Sequence, residues 1–126
     1  MPYAPIDILK FLDGSHGFVR YSKGKEIFRE GEPGDRMFVI VEGEVRLSIN
    51  GQQLAVEYPG GIVGEMSLIE QADRSATASA LTNCVLAPLD LAGFKNLVAR
   101  EPQFAIQVMQ VLSRRLRMAN EVLNLY

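Results

Sequence analysis

Glycine spacing constrains this chain more than any other feature. Gly24, Gly31, Gly34, Gly43, Gly51, Gly60, Gly61 and Gly64 interrupt short apolar runs at intervals typical of all-β domains. The clearest run is RMFVIVEGEVRLSINGQQLAVEY, from Arg36 to Tyr58. Within it Val45, Leu47 and Ile49 alternate with Glu44, Arg46 and Ser48, the period-2 pattern of a half-buried strand. Asn50-Gly51 follows, two residues that tolerate positive φ, and predicts a tight hairpin into a strand over Leu54 to Tyr58. Ala76 to Ala80 and Cys84 to Leu89 read as two further strands. About eight short strands joined by hairpin turns mean a sandwich, a barrel or a jelly roll.

After Asp90 the period changes. LAGFKNLVAR reads as a helix with Asp90 as its N-cap, and Glu101-Pro102 breaks the chain and starts another. In that last helix Ala105, Met109, Leu112, Leu116, Ala119, Leu123 and Tyr126 follow alternating spacings of four and three, a heptad seam. Val108, Val111, Met118, Val122 and Leu125 flank it. One face is expected to pack on the β domain while the other meets a second copy. At the other end, Ile6 to Leu12 reads as a short helix or packed lead-in.

The 126 residues suit a single domain over 1–126, with a lead-in at 1–16, β structure at 17–90 and helices at 91–126. A formal charge of −2 gives no global attraction to nucleic acid or an anionic membrane. A lone cysteine, Cys84 in the apolar run CVLAPL, excludes an internal disulfide and a multi-thiolate metal site, and fits a reducing compartment. MPYAPIDILKFL lacks the basic start and apolar stretch of a signal peptide, and no apolar segment approaches the roughly 20 residues that span a bilayer. A cytoplasmic location without membrane contact is the expectation. His16, the only histidine, sits in a Gly-Ser-His-Gly loop and reads as a solvent-facing turn residue. With no cluster at ligand spacing, a cupin-like metal enzyme is disfavoured, and no metal or cofactor is expected.

The segment GEMSLIEQADRSATA, Gly64 to Ala78, is the candidate site. Glycines at 60, 61 and 64 permit close backbone approach, and Glu65 to Glu70 can form a short helix whose first N–H groups lack partners. Arg74 adds a two-pronged, permanently charged donor, and Ser75 a hydroxyl beside it. Glu65 would repel a phosphate, so its best use is accepting hydrogen bonds from sugar hydroxyls. Together these describe a nucleotide with a compact phosphate. The competing reading is a surface salt bridge between Glu65 and Arg74, worth ~0–1 kcal/mol.

Two motifs resemble the cyclic nucleotide-binding domain family. Gly64-Glu65-Met66-Ser67-Leu68 followed by Arg74-Ser75-Ala76-Thr77-Ala78-Ser79 is similar to its phosphate-binding cassette, here over 60–78, and IFREGEPGDRMFVIVEG (27–43) is similar to its first glycine signature. LSRRLRMANE (112–121) resembles the helix after the β-roll in the catabolite activator protein branch. The resemblance implies a mainly β fold with α, an antiparallel β-roll or jelly roll flanked by N- and C-terminal helices. It implies a non-enzymatic sensor whose ligand is cyclic AMP or cyclic GMP.

The roles it implies are specific. Glu65 binds the ribose 2′-hydroxyl and Arg74 pairs with an exocyclic phosphate oxygen. The N–H groups of Met66, Ser67 and Ser75, with the Ser75 hydroxyl, complete the phosphate shell. Gly64 leaves space for the ribose, Ala76 keeps the floor tight, and Arg115 links the long helix to the pocket. Where the activator branch has a Thr-Ser pair contacting adenine, this chain has Ala119 and Asn120. Asn120 can donate and accept at a base edge, whereas Ala119 cannot. Ser75 in place of threonine leans toward cyclic AMP. Apolar side chains such as Leu68 are expected to shift against a hinge around Leu91 to Val98 and so reposition the long helix.

The basic cluster Arg114, Arg115, Arg117 reads as a helix flank rather than a DNA-binding face. The transcription regulators of the family add a helix-turn-helix after the long helix. The chain stops at Tyr126, so no nucleic-acid contact by this chain alone is expected, and an effector would be fused or separate. The alternative function is a structural dimerisation module whose pocket is vestigial or holds a non-nucleotide ligand.

Overall fold

The computed structural model describes residues 7–123, with side chains described to residue 119. A single 3-10 turn, Ile8–Phe11, is capped by the Asp7 carboxylate, which accepts from the Leu9 N–H. Eight strands follow: β1 Val19–Tyr21, β2 Glu26–Phe28, β3 Arg36–Glu42, β4 Val45–Ile49, β5 Gln52–Glu57, β6 Ile62–Val63, β7 Thr77–Ala80 and β8 Cys84–Asp90. A short helix α1, Glu65–Glu70, sits between β6 and β7, and α2 Leu91–Arg100 and α3 Pro102–Leu123 follow β8. The strands form two antiparallel four-stranded sheets, ordered β1-β8-β3-β6 and β2-β7-β4-β5. The expected fold class, mainly β with flanking helices, is the one observed.

β3 explains how one sheet serves two cores. Met37, Phe38, Val39 and Ile40 are all buried, which is why this strand reads as a continuous apolar run. Phe38 and Ile40 face the interior of the roll with Val45, Val63, Ala78, Ala80, Cys84 and Leu86. Met37 and Val39 face the other way, into a cluster with Leu68 of α1, Leu97 of α2, and Phe104 and Val108 of α3. The cassette helix therefore shares a core with both C-terminal helices. Cys84 is buried as expected, its thiol donating to the carbonyls of Glu44 and Thr82.

The hairpin between β4 and β5 turns on Asn50 and Gly51, at φ 51° and 79°, the paired positive angles of a tight two-residue turn. Such a turn lets pairing begin at once, so β5 starts at Gln52, ahead of the expected Leu54. The alternation predicted for β4 holds only through Leu47. Leu47 pairs with Ala55 but Ser48 pairs with Gln53, so Leu54 is an extra residue on β5. Ser48 is buried, whereas Ile49 and Leu54 are exposed.

Asp90 caps α2 by accepting from the Gly93 N–H at 2.7 Å. His16 departs from the solvent-facing expectation. Its ring is half-buried near Gly93, and Nε2 has no hydrogen-bond partner among the described residues. Pro102 opens α3, where its missing N–H costs nothing. The face of α3 that packs inward carries Phe104 and Val108, with Val111 and Leu112 partly covered. Phe104 meets Phe11 and Phe94 edge-on at 5.9 and 5.3 Å between centroids. The heptad positions Met109 and Leu116 stay 54% and 61% exposed, while Leu112 of the same seam packs partly against the core. Leu123 and Tyr126, the end of that seam, lie outside the described side chains.

Phe104 is fully buried at the junction of the lead-in turn, α2 and α3. Phe104→Ala should destabilise the fold by about 3–5 kcal/mol in equilibrium denaturant unfolding, and a loss under ~1 kcal/mol would mean this ring does not hold α3 in place.

Candidate functional site

α1 begins at a residue only glycine fills easily. Gly64 has φ +79°, and a Cβ there would come within 2.5 Å of Arg74 Nη1. The close approach serves a hydrogen bond, because Nη1 donates to the Gly64 carbonyl at 3.1 Å and to Ser67 Oγ at 2.7 Å. The guanidinium also lies over the Phe28 ring, 4.1 Å from its centroid. Gly34 closes the socket from behind, where a Cβ would meet Arg74 Nε and Ser67 Oγ at 2.5 Å each. Arg74 is 7% exposed, and burial draws its pKa below the ordinary arginine value, offset by Asp35 among its neighbours. Its Nε is buried with no partner among the described residues.

The two sequence motifs meet through the backbone. The Gly31 N–H donates to the Arg74 carbonyl and the Arg74 N–H to the Glu32 carbonyl, each at 2.8 Å. The β2–β3 loop thus fixes the chain direction at Arg74. Glu65 is 3% exposed and forms no salt bridge with Arg74. Its partner is Arg115 on α3, whose Nη1 donates to Glu65 Oε1 at 2.6 Å while Nη2 donates to the Ile62 carbonyl at 2.7 Å. Glu57, at the end of β5, lies 3.2 Å from Nη2. Burial pushes the Glu57 carboxyl above its ordinary range despite the pull of Arg115, and Glu65 adds to the push. Burial works against the charge on Arg115, but Glu65 and Glu57 together raise its pKa.

Of the residues singled out in the sequence, Gly64, Glu65, Ser67 and Arg74 converge around the start of α1, and Arg115 reaches them from α3. Met66 is exposed on α1, with its sulfur 4.0 Å from the exposed Ser75 hydroxyl, and Ala76 is half-buried. The Asn120 side chain lies outside the described residues. Sequence reasoning missed Phe28 and Gly34 as walls of the arginine socket, the Ser67 hydroxyl as its acceptor, and Glu57 as a second acid on Arg115. Phe28 and Gly34 lay inside a recognised motif, but their contacts to position 74 are made across the fold. No local pattern marks Glu57.

Among the described residues no group of three His, Cys, Asp or Glu side chains is placed to hold a metal ion. No helix among them is long and apolar enough to cross a membrane. Residues 18–101 match the family described as the cyclic nucleotide-binding domain. The chain belongs to that family. This cyclic nucleotide-binding domain is 37% identical over 110 residues to the cyclic AMP receptor protein of Thermus thermophilus, covering 83% of this chain and 51% of that one. It is 31% identical over 107 residues to the CRP-like cAMP-activated global transcriptional regulator of Mycobacterium tuberculosis, covering 81% and 48%. The crystal structure of Thermus thermophilus catabolite activator protein superposes with a TM-score of 0.76 at 34% identity, covering 94% of this chain and 56% of that one. The domain therefore spans about half the length of these curated relatives.

Removing one partner of a buried ion pair strands the other charge. Arg115→Ala leaves Glu65 buried without its cation, and should cost about 3 kcal/mol of stability, read from the urea midpoint. An unchanged midpoint would mean that the Arg115–Glu65 contact does not anchor α3.

Proposed function

We propose that this domain is a sensor that binds a cyclic purine nucleotide, cyclic AMP in preference to cyclic GMP, without transforming it. The observation that carries the reading is the pairing of a buried arginine that has an N–H unsatisfied among the described residues with a buried acid at the start of the short helix that this arginine contacts. A phosphate oxygen would satisfy Arg74, and the Glu65 carboxylate would accept from the ribose 2′-hydroxyl. Gly64 leaves room for the ribose, and the Met66, Ser67 and Ser75 N–H groups with the Ser75 hydroxyl surround the phosphate. The cluster offers donors and one acceptor for recognition. The names of the Thermus and Mycobacterium relatives, a cyclic AMP receptor and a cAMP-activated regulator, support the cyclic AMP preference, as does Ser75. Ala76 as the floor of the site and Asn120 as a base contact belong to the same proposal.

Transmission would follow two routes. Leu68 shares a core with Leu97 and Phe104, so an inward move of α1 must be answered by α2 and α3. A cleft of about 300 Å³ between Leu68 and Leu91 leaves space for that move. Arg115 joins α3 to Glu65 directly. The shift occurs only to the extent that ligand binds one helix position better than the other. The exposed Met109 and Leu116 seam would pair α3 with α3 of a second copy. The domain 1–126 would act as one regulatory unit on a fused or separate effector.

Two measurements test this. Calorimetric titration should give saturable binding of cyclic AMP, weakened by about 2–5 kcal/mol in Arg74→Ala. No heat with either cyclic nucleotide would favour a structural dimerisation module, and equal affinity in Arg74→Ala would remove the arginine from the site. For the second copy, Leu116→Glu should shift the sedimentation equilibrium from dimer toward monomer. A dimer indifferent to that change must use another surface.

A further inference from the structure

One guanidinium here answers to two acids. Arg115 touches Glu65 through a single prong, Nη1 to Oε1 at 2.6 Å. Its other prong, Nη2, is taken by the Ile62 carbonyl at 2.7 Å and faces Glu57 Oε1 at 3.2 Å. Left to itself, an arginine prefers to grip a carboxylate with two parallel N–H donors, which uses both carboxylate oxygens. The Ile62 carbonyl and Glu57 together hold the second prong away, and Glu57 is the charged one of the two.

We propose that Glu57 is a positioning residue for nucleotide binding: by holding the second prong of Arg115, it keeps an oxygen of Glu65 available to the sugar hydroxyls. This rests on the reading of Glu65 given above. The Glu57 side chain is 21% exposed and the Glu65 side chain 4%, so both acids act through few solvent contacts. A cleft of about 290 Å³ between α3 and the Tyr58–Gly61 turn opens on Glu57 and Arg115. It gives the guanidinium room to turn once Glu57 loses its charge. Arg115 would then close on Glu65 with both prongs and compete with the ligand for the same acid.

The device is sensitive to protons. Among the described residues, the charged and titratable groups around Glu57 are Arg115 and Arg114 from α3, Glu65 from α1, and the phenol of Tyr58 beside it. Burial raises the Glu57 pKa, so this carboxyl takes up a proton before ordinary carboxylates as pH falls. Cyclic AMP affinity should therefore drop on acidification, while the phosphate and Arg74 keep their charges.

The test is calorimetric titration with cyclic AMP between about pH 8 and pH 5, comparing the native domain with Glu57→Gln. The expected result is native affinity that declines with pH, and a variant about tenfold weaker at the alkaline end whose affinity no longer follows pH. In an Arg115→Lys background, where a two-pronged grip cannot form, Glu57→Gln should change affinity less than about twofold. A flat native profile overturns the proposal without any variant being needed. So does a Glu57→Gln domain that binds like the native one, or an equal loss in the lysine background. If the native domain binds no cyclic nucleotide at all, the function proposed above fails first and takes this role with it.

Discussion

The arrangement of the site depends on how one buried cation is satisfied. Arg74 is held inside the protein by a backbone carbonyl, a serine hydroxyl and an aromatic face, with no acid among the described residues in direct contact. Neutral partners of this kind stabilise a guanidinium without neutralising it. The positive charge therefore remains available to an anion, which a salt bridge to Glu65 would have prevented. The left-handed turn at Gly64 and the absence of a side chain at Gly34 both make room for that socket. Glu65 is kept apart from it by its own cation, Arg115.

That separation also sets what can move. Because Arg115 belongs to α3, the acid on the cassette is tied to an element that also contributes Phe104 and Val108 to the core. The sheet containing β3 is buried on both faces, so the roll interior and the helical layer are two sides of the same strands. A close-packed interior of this kind does not deform smoothly. α1 is joined to α2 and α3 through Leu68 and to α3 through Arg115, one an apolar contact and the other an ion pair.

Much of the fold was legible locally. Glycine spacing gave the β class, Asn50-Gly51 the hairpin, Asp90 the cap of α2 and Pro102 the start of α3, because each is a matter of φ angles or orphan N–H groups within a few residues. The bulge at Leu54 was not legible, since register depends on the partner strand rather than on the alternation of β4 alone. His16 was likewise misjudged, because its loop reads as polar while its cover is supplied by the start of α2.

The sequence by itself determined the strand-rich class, the short helix Glu65–Glu70 and the identity of its charged residues, since these follow from local conformational preference and from motif spacing. Only the tertiary structure decided which charge answers which. Arg74 lies nine positions after Glu65 yet turns to Gly64, Ser67 and Phe28, while Glu65 finds a cation fifty positions away on α3. The reason is that burial and distance govern electrostatic pairing, and both are properties of the packed chain rather than of its order.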